Sequence, residues 1–231
     1  GTAGTTATAG ATATGGATTG LGGATGGTAG ATASTDVVTF HNGAASGAMT
    51  GYAWIALGVL DTVVDPTCGL EKVPLTSTQP CVSGTNWSSL SQLCVRGTIP
   101  ALPTAPTTAD YNDNWGIQVG VNVGPSTEGT ETLGHAYSGI SVLATNAPAR
   151  GFRIILHRYG DEPTRTYCAD GVSSGTFVPF TSFRTSCWDP LYGTALLASD
   201  VPTINQVGVQ VSSTFSEIAL NMCLNSFEFS Y

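Results

Sequence analysis

The sequence predicts an all-β fold: an antiparallel two-sheet sandwich of the jelly-roll kind, preceded by an extended Gly/Thr/Ala-rich tail. Three observations predict it. Short runs rich in Val, Ile, Phe and Tyr alternate with Gly, Pro, Asn and Asp, the punctuation of strands and turns. Within Trp115 to Val123, residues Ile117, Val119, Val121 and Val123 fall on one side and Gln118 and Asn122 on the other, the two-residue period of a strand with one buried face. No stretch carries the 3.6-residue apolar period of a long amphipathic helix. The organisation expected is a tail over residues 1–35 and a sandwich over 36–231, with a Pro/Cys-rich excursion at about 61–110.

The tail from Gly1 to Ser34 holds only Gly, Ala, Thr and Ser apart from Leu21. It cannot bury enough apolar surface to order itself alone, which suits a linker. It also lacks the proline of a secreted Thr-rich stalk. In an extended strand Thr8, Thr12 and Thr14 share one face. Gly1, Gly4, Gly10 and Gly16 fall on a three-residue repeat with Ala7 and Ala13, as in a three-fold extended helix that packs closely on backbone. An uncharged strand without the usual guards against edge pairing is an assembly element by composition.

After the tail, Val37 to Phe40 is a first strand and Gly51 to Leu60 a second, buried one. The stretch from Asp61 to Asp110 carries six prolines and three cysteines and reads as a stapled loop rather than core strands. Asn86 to Val95 suits one short helix capped by Asn86 or Ser88. Strands follow at Trp115 to Val123, Tyr137 to Leu143, Phe152 to His157, Thr176 to Phe180, Ile204 to Val211, Phe215 to Leu220 and Leu224 to Phe229. Turn residues between them include Gly124-Pro125, Gly160-Asp161, Asp170-Gly171 and Asp189-Pro190.

The net charge of −8, with Lys72 the sole lysine, argues against a nucleic-acid partner. No run of about 18 apolar residues marks a membrane span. Cys68, Cys81, Cys94, Cys168, Cys187 and Cys223 contain no C-x-x-C pair, so disulfides in an oxidising, extracellular setting are expected. If all six pair, at least one bond must join the first three to the last three.

The closing half of the chain carries Tyr167-Cys168-Ala169, then Phe177-Val-Pro-Phe-Thr-Ser-Phe183, Cys187-Trp188, Ile204-Asn-Gln-Val-Gly-Val-Gln-Val211 and Phe227-Glu-Phe229. With Trp115-Gly116 opening an alternating strand, this order resembles jelly-roll carbohydrate-binding modules, the galactose-binding-like domains of secreted bacterial glycan-active proteins, over residues 115–231. The resemblance implies a sandwich, a polysaccharide ligand and, in some such modules, a structural calcium. Oxygen ligands for that ion would come from Asp110, Asn112 and Asp113, or from Asp161 and Glu162. No EF-hand spacing occurs, and neither a metal nor another cofactor is expected from the spacing alone.

Gly171-Val-Ser173-Ser-Gly175 matches G-x-S-x-G in form, but a turn precedes it and a strand-like TFVPF follows, so a hairpin turn is expected instead of a nucleophile elbow. His41, His135 and His157 lie at no metal-ligand spacing. Glu128, Glu131, Asp161 and Glu162 read as solvated loop acids. Trp54 and Trp115, in apolar strands, read as core. Trp87, Trp188 and Tyr192 lie in polar loops and are the candidates for stacking on sugar rings, although Trp188, beside Cys187, also suits packing over a disulfide. Asn86-Trp87-Ser88 is a glycosylation sequon. The functional expectation is a non-catalytic extracellular subunit that polymerises with copies of itself through its tail; the alternative is a carbohydrate-binding module with the tail as linker.

Overall fold

The computed structural model describes residues 34–58, 62–63, 91–124, 130–189 and 192–231. The tail residues Gly1, Gly4, Thr8, Gly10, Thr12, Thr14 and Gly16 lie outside these, as do Cys68, Cys81, Asn86, Trp87 and Glu128. The described chain is all-β and antiparallel, as the alternating runs predict.

Among the described residues, twelve strands are linked into one sheet that folds over on itself and nearly closes into a barrel. The first layer contains β1 (Thr35–His41), β12 (Ile218–Ser230), β7 (Gly139–Thr145) and β10 (Val178–Pro179), in the order β1-β12-β7-β10. The second contains β3 (Gly51–Leu57), β6 (Ile117–Asn122), β11 (Ile204–Val211), β8 (Phe152–Arg158) and β9 (Tyr167–Val172), in the order β3-β6-β11-β8-β9. Setting β6 aside, this is the 1-12-7-10 and 3-11-8-9 strand order of a jelly roll, with β6 inserted between β3 and β11. β2 (Ala44–Gly47) pairs with both β1 and β3 and carries the sheet from one layer to the other.

One core fills the space between the layers. Ile117, Val119 and Val121 of β6, Val207, Val209 and Val211 of β11, and Phe152, Ile154 and Leu156 of β8 face Val38 and Phe40 of β1, Ile140 and Val142 of β7, and Phe227 and Phe229 of β12. The predicted phase of Trp115 to Val123 is the observed one: the valines point in, and Gln118 and Asn122 point out. Phe40 and Phe227 meet edge to face with centroids 5.3 Å apart, a favourable geometry for buried rings.

Several expectations are corrected. The proline-rich excursion is not all loop. β5 (Leu93–Ile99) is a core strand with Leu93, Val95 and Ile99 fully buried, and short β4 (Thr62–Val63) pairs with it. The helix expected over 86–95 gives way to β5 from Leu93 onward, because β5 finds a full-length partner in β12. The two strands expected at 215–220 and 224–229 are one. Asn221 to Cys223 looks like a break, yet these residues stay paired, with Cys223 opposite Cys94. Asp170-Gly171 is not a turn either. It is a bulge inside β9, where Gly171 takes φ +68° and the register against β8 shifts.

Two disulfides lie among the described residues. Cys94–Cys223 ties β5 to β12 and joins the two cysteine groups, as the counting argument requires. Cys168–Cys187 ties β9 to the segment that follows the 3-10 turn Phe180–Ser182.

Candidate ligand-binding cleft

The inner face of the second layer is aliphatic and aromatic, but its outer face is not an ordinary solvated surface. Register places Ala56, Gln118, Gln210 and Arg153 side by side across four strands. The next row is Trp54, Gly120, Gly208, Ile155 and Cys168. The two glycines explain Trp54. A Cβ at Gly120 would meet Trp54 Cζ2 at 2.8 Å, and one at Gly208 would meet Cη2 at 3.2 Å, so the indole occupies the space that side chains at both positions would take. Trp54 is a half-buried outer-face residue, not the core residue its apolar neighbours suggest.

A cleft of about 970 Å³ opens on this face. Its floor includes Gln118, Gln210 and Arg153, and its aromatic lining is Tyr111, Trp115 and Trp188. Three separate segments bring these groups together. The first is α1 (Thr108–Asp113), started by a reciprocal box: the Asp110 amide donates to Thr107 Oγ1 at 3.3 Å, and the Thr107 amide donates to Asp110 Oδ2 at 2.7 Å. The helix stops at Asn114 and delivers Tyr111, Asn114 and Trp115 to one wall. The second segment follows β8. His157 donates from Nε2 to the Glu162 carbonyl at 3.2 Å and bonds through Nδ1 to the Asn205 side chain at 2.9 Å, holding the loop that supplies Pro163, Thr164 and Thr166. The third is the Cys168–Cys187 bridge, which anchors the residue before Trp188 to the outer-face row.

Arg153 is the charged residue of the described lining, and three of its five N–H donors are held within the protein. Its Nε and Nη2 donate to Oδ1 and Oδ2 of Asp170, each at 3.3 Å, and Nη1 donates to Gln210 Oε1 at 3.1 Å. The Trp188 ring covers its guanidinium at 5.2 Å. Gln210 is satisfied at both ends, since its Nε2 donates to the Trp115 carbonyl at 2.8 Å. Beside the cleft, desolvation holds Arg150 below the ordinary arginine range while its Nη2 donates to the Ser212 carbonyl.

Of the stacking candidates read from sequence, Trp188 lines the cleft and is 62% exposed, so it presents its ring rather than packing it over the disulfide. Tyr192 is exposed but is not among the lining residues. Trp115, expected in the core, is half-buried and lines the cleft, because Gly116, at φ +98°, turns the chain just before the alternating run begins. Tyr111 and Asn114 have a legible signal, the Thr107-x-x-Asp110 box that starts α1.

The other sequence candidates are placed elsewhere. Ser173 is exposed at the end of β9, and β10 rather than a helix follows it. Asp161 faces Arg158 at 3.6 Å and Asp110 is taken up by its cap, so two of the suggested calcium oxygens already have partners. No cluster of three or more His, Cys, Asp or Glu able to hold a metal occurs among the described residues. No helix among them is long and apolar enough to cross a membrane. His135 lies against Tyr137 and Tyr231, whose hydroxyls both donate to Asp36 Oδ2, at 2.9 and 2.7 Å. These bonds, Tyr231 first, hold the Asp36 carboxyl below its usual range, while burial and the same carboxylate push the Tyr137 phenol up. No protein-family model matches the chain, and no curated protein matches it.

Proposed function

We propose that this domain is a non-catalytic, secreted glycan-binding module whose ligand lies in the cleft on the outer face of β6, β11 and β8. The observation that carries the reading is the lining itself: three aromatic rings, a floor of amide and guanidinium groups and, among the described residues, no carboxylate. A sugar ring has an apolar C–H face that stacks on an indole or phenol, and hydroxyls that need planar donors and acceptors at its edge. A cleft of this size suits a short oligosaccharide. The network around Arg153 and Gln210 fixes these groups before any ligand arrives, which lowers the entropy lost on binding. Two disulfides in a lysine-poor chain support the extracellular placement. Self-assembly through the tail rests on residues outside those described, so it draws no support from the cleft.

Trp188→Ala tests the reading. Titration calorimetry against a panel of oligosaccharides is expected to show affinity at least about tenfold weaker for the variant, with the melting temperature little changed because the ring is exposed. Removal of residues 1–34 is expected to leave affinity unchanged. A wild-type chain that binds no glycan in the panel, or a Trp188→Ala variant that binds as well as wild type, ends the proposal.

A further inference from the structure

We infer that Asn114 is the specificity-determining residue of this cleft, and that it selects a neutral, hydroxyl-rich glycan over an acidic one. The inference rests on the glycan-binding reading above and deepens it.

Asn114 caps the end of α1 with its backbone alone, the amide donating to the Asp110 carbonyl at 2.9 Å. Its side chain takes no part in the cap. The residue is 4% exposed, lines the cleft, and its Oδ1 is buried without a hydrogen-bond partner. The Ser212 hydroxyl, also lining the cleft, is buried and unpartnered in the same way. An amide oxygen left unpaired inside a protein is destabilising, and folds rarely keep one without a use for it. The contrast with Gln210 is direct. It is an equally buried amide in the same lining, and both its ends are paired. The local fold can satisfy an amide here, yet it leaves Asn114 open.

The chemistry of the open groups names the ligand class. An amide oxygen accepts and cannot donate, so it needs a donor; a serine hydroxyl takes either role. A sugar hydroxyl both donates and accepts and fits the pair. A carboxylate placed against the pair only accepts and leaves Asn114 Oδ1 unpaired, whereas the primary hydroxyl that a neutral hexose carries at the same carbon can donate to it. The group that would otherwise attract a carboxylate is the guanidinium of Arg153, but Asp170 already offsets its charge, and three of its five N–H donors go to Asp170 and Gln210. The Asp170 side chain, 44% exposed beside it, leaves the ion pair without net charge, and the chain's net charge of −8 disfavours an arriving anion.

The test measures cellohexaose, mannohexaose, β-1,4-galactohexaose and hexagalacturonate binding to the full chain, to Asn114→Ala and to the near-isosteric Asn114→Leu, with melting temperatures of the unliganded proteins. The expected result is binding to at least one neutral oligosaccharide and not to the uronate. Both variants should bind at least about tenfold more weakly, and the unliganded protein should melt at the same temperature or higher, because an unsatisfied buried amide has been removed. Variants within about twofold of wild-type affinity overturn the inference, as does a preference for the uronate. A lowered melting temperature in both variants also overturns it, by making Asn114 a structural residue. If Trp188→Ala abolishes binding while the Asn114 variants keep it, the glycan reading stands and this inference alone falls. If wild type binds only the uronate, this inference alone falls; if it binds none of the four oligosaccharides, both fall.

Discussion

The two faces of the second layer are made by the same five strands, yet they obey different rules. On the inner face β6, β11 and β8 present Ile117, Val119, Val121, Val207, Val209, Val211, Ile154 and Leu156, none more than 1% exposed. Any similar aliphatic set of the right volume would do much the same work there. On the outer face the same strands present Gln118, Gly120, Gly208, Gln210 and Arg153. There the glycines are specified by the Trp54 ring, Gln210 by Arg153 and the Trp115 carbonyl, and Arg153 by Asp170 and Trp188. Burial dictates the first face by volume, and hydrogen-bond geometry dictates the second by identity. The inner face holds the layers together, and the outer one carries the cleft on which the proposed recognition rests.

That division can be broken by substitution. The largest effect on folding is expected from the inner face. Leu156→Ala removes a side chain that is 1% exposed and should lower unfolding free energy by about 2–5 kcal/mol in urea titrations. A loss below about 1 kcal/mol would mean that the layers pack loosely. On the outer face, Gly120→Val places a Cβ 2.5 Å from the Val207 carbonyl oxygen and forces the new side chain against the indole of Trp54. A loss of about 1–3 kcal/mol is expected, together with a shift of Trp54 fluorescence as the ring is lifted into water. An unchanged spectrum would show that the ring does not depend on the glycine pair. The smallest effect lies off both faces, at Asp36. Its carboxyl is held low in the folded state, so its contribution is present above the unfolded value of about pH 4 and is lost as pH falls through the folded value. The double variant Tyr137→Phe, Tyr231→Phe should therefore lose less stability than wild type between about pH 6 and about pH 3 in urea midpoints. Identical acid sensitivity in the two proteins would remove the cluster from the account of acid stability.

Much of the fold is legible in the sequence because burial writes itself as alternation. Ile204 to Val211 is a strand with the bounds expected, and the phase of Ile117 to Val123 follows from its valines. The errors have physical causes. β5 sits in a proline- and cysteine-rich stretch, where local composition signals loops, and only its long-range partner β12 makes it a strand. β12 carries Asn221 in a stretch that looks like a break, yet its pairing runs on to both sides of it. Trp54 reads as core from the apolar character of its run, although strict alternation with Ala53 and Ile55, both buried in the core, places it outside. The cleft is half legible. Trp188 stands out as an aromatic in a polar loop, and the Thr107-x-x-Asp110 box marks where Asn114 falls, but that its Oδ1 ends buried without a partner depends on packing that no local pattern encodes.

The position of β12 also sets the order of events during synthesis. One side of this 13-residue strand pairs with β5 along its first half and with β1 along its second, while the other side pairs with β7. Thr35 is opposite Ser230 and Thr145 is opposite Cys223. The first layer thus lacks its middle strand until residues 218–230 have left the ribosome. Pairings so distant in sequence also form slowly. A nascent chain built this way cannot complete its first layer before residues 218–230 are made, so β1, β5 and β7 wait with open edges for one late strand.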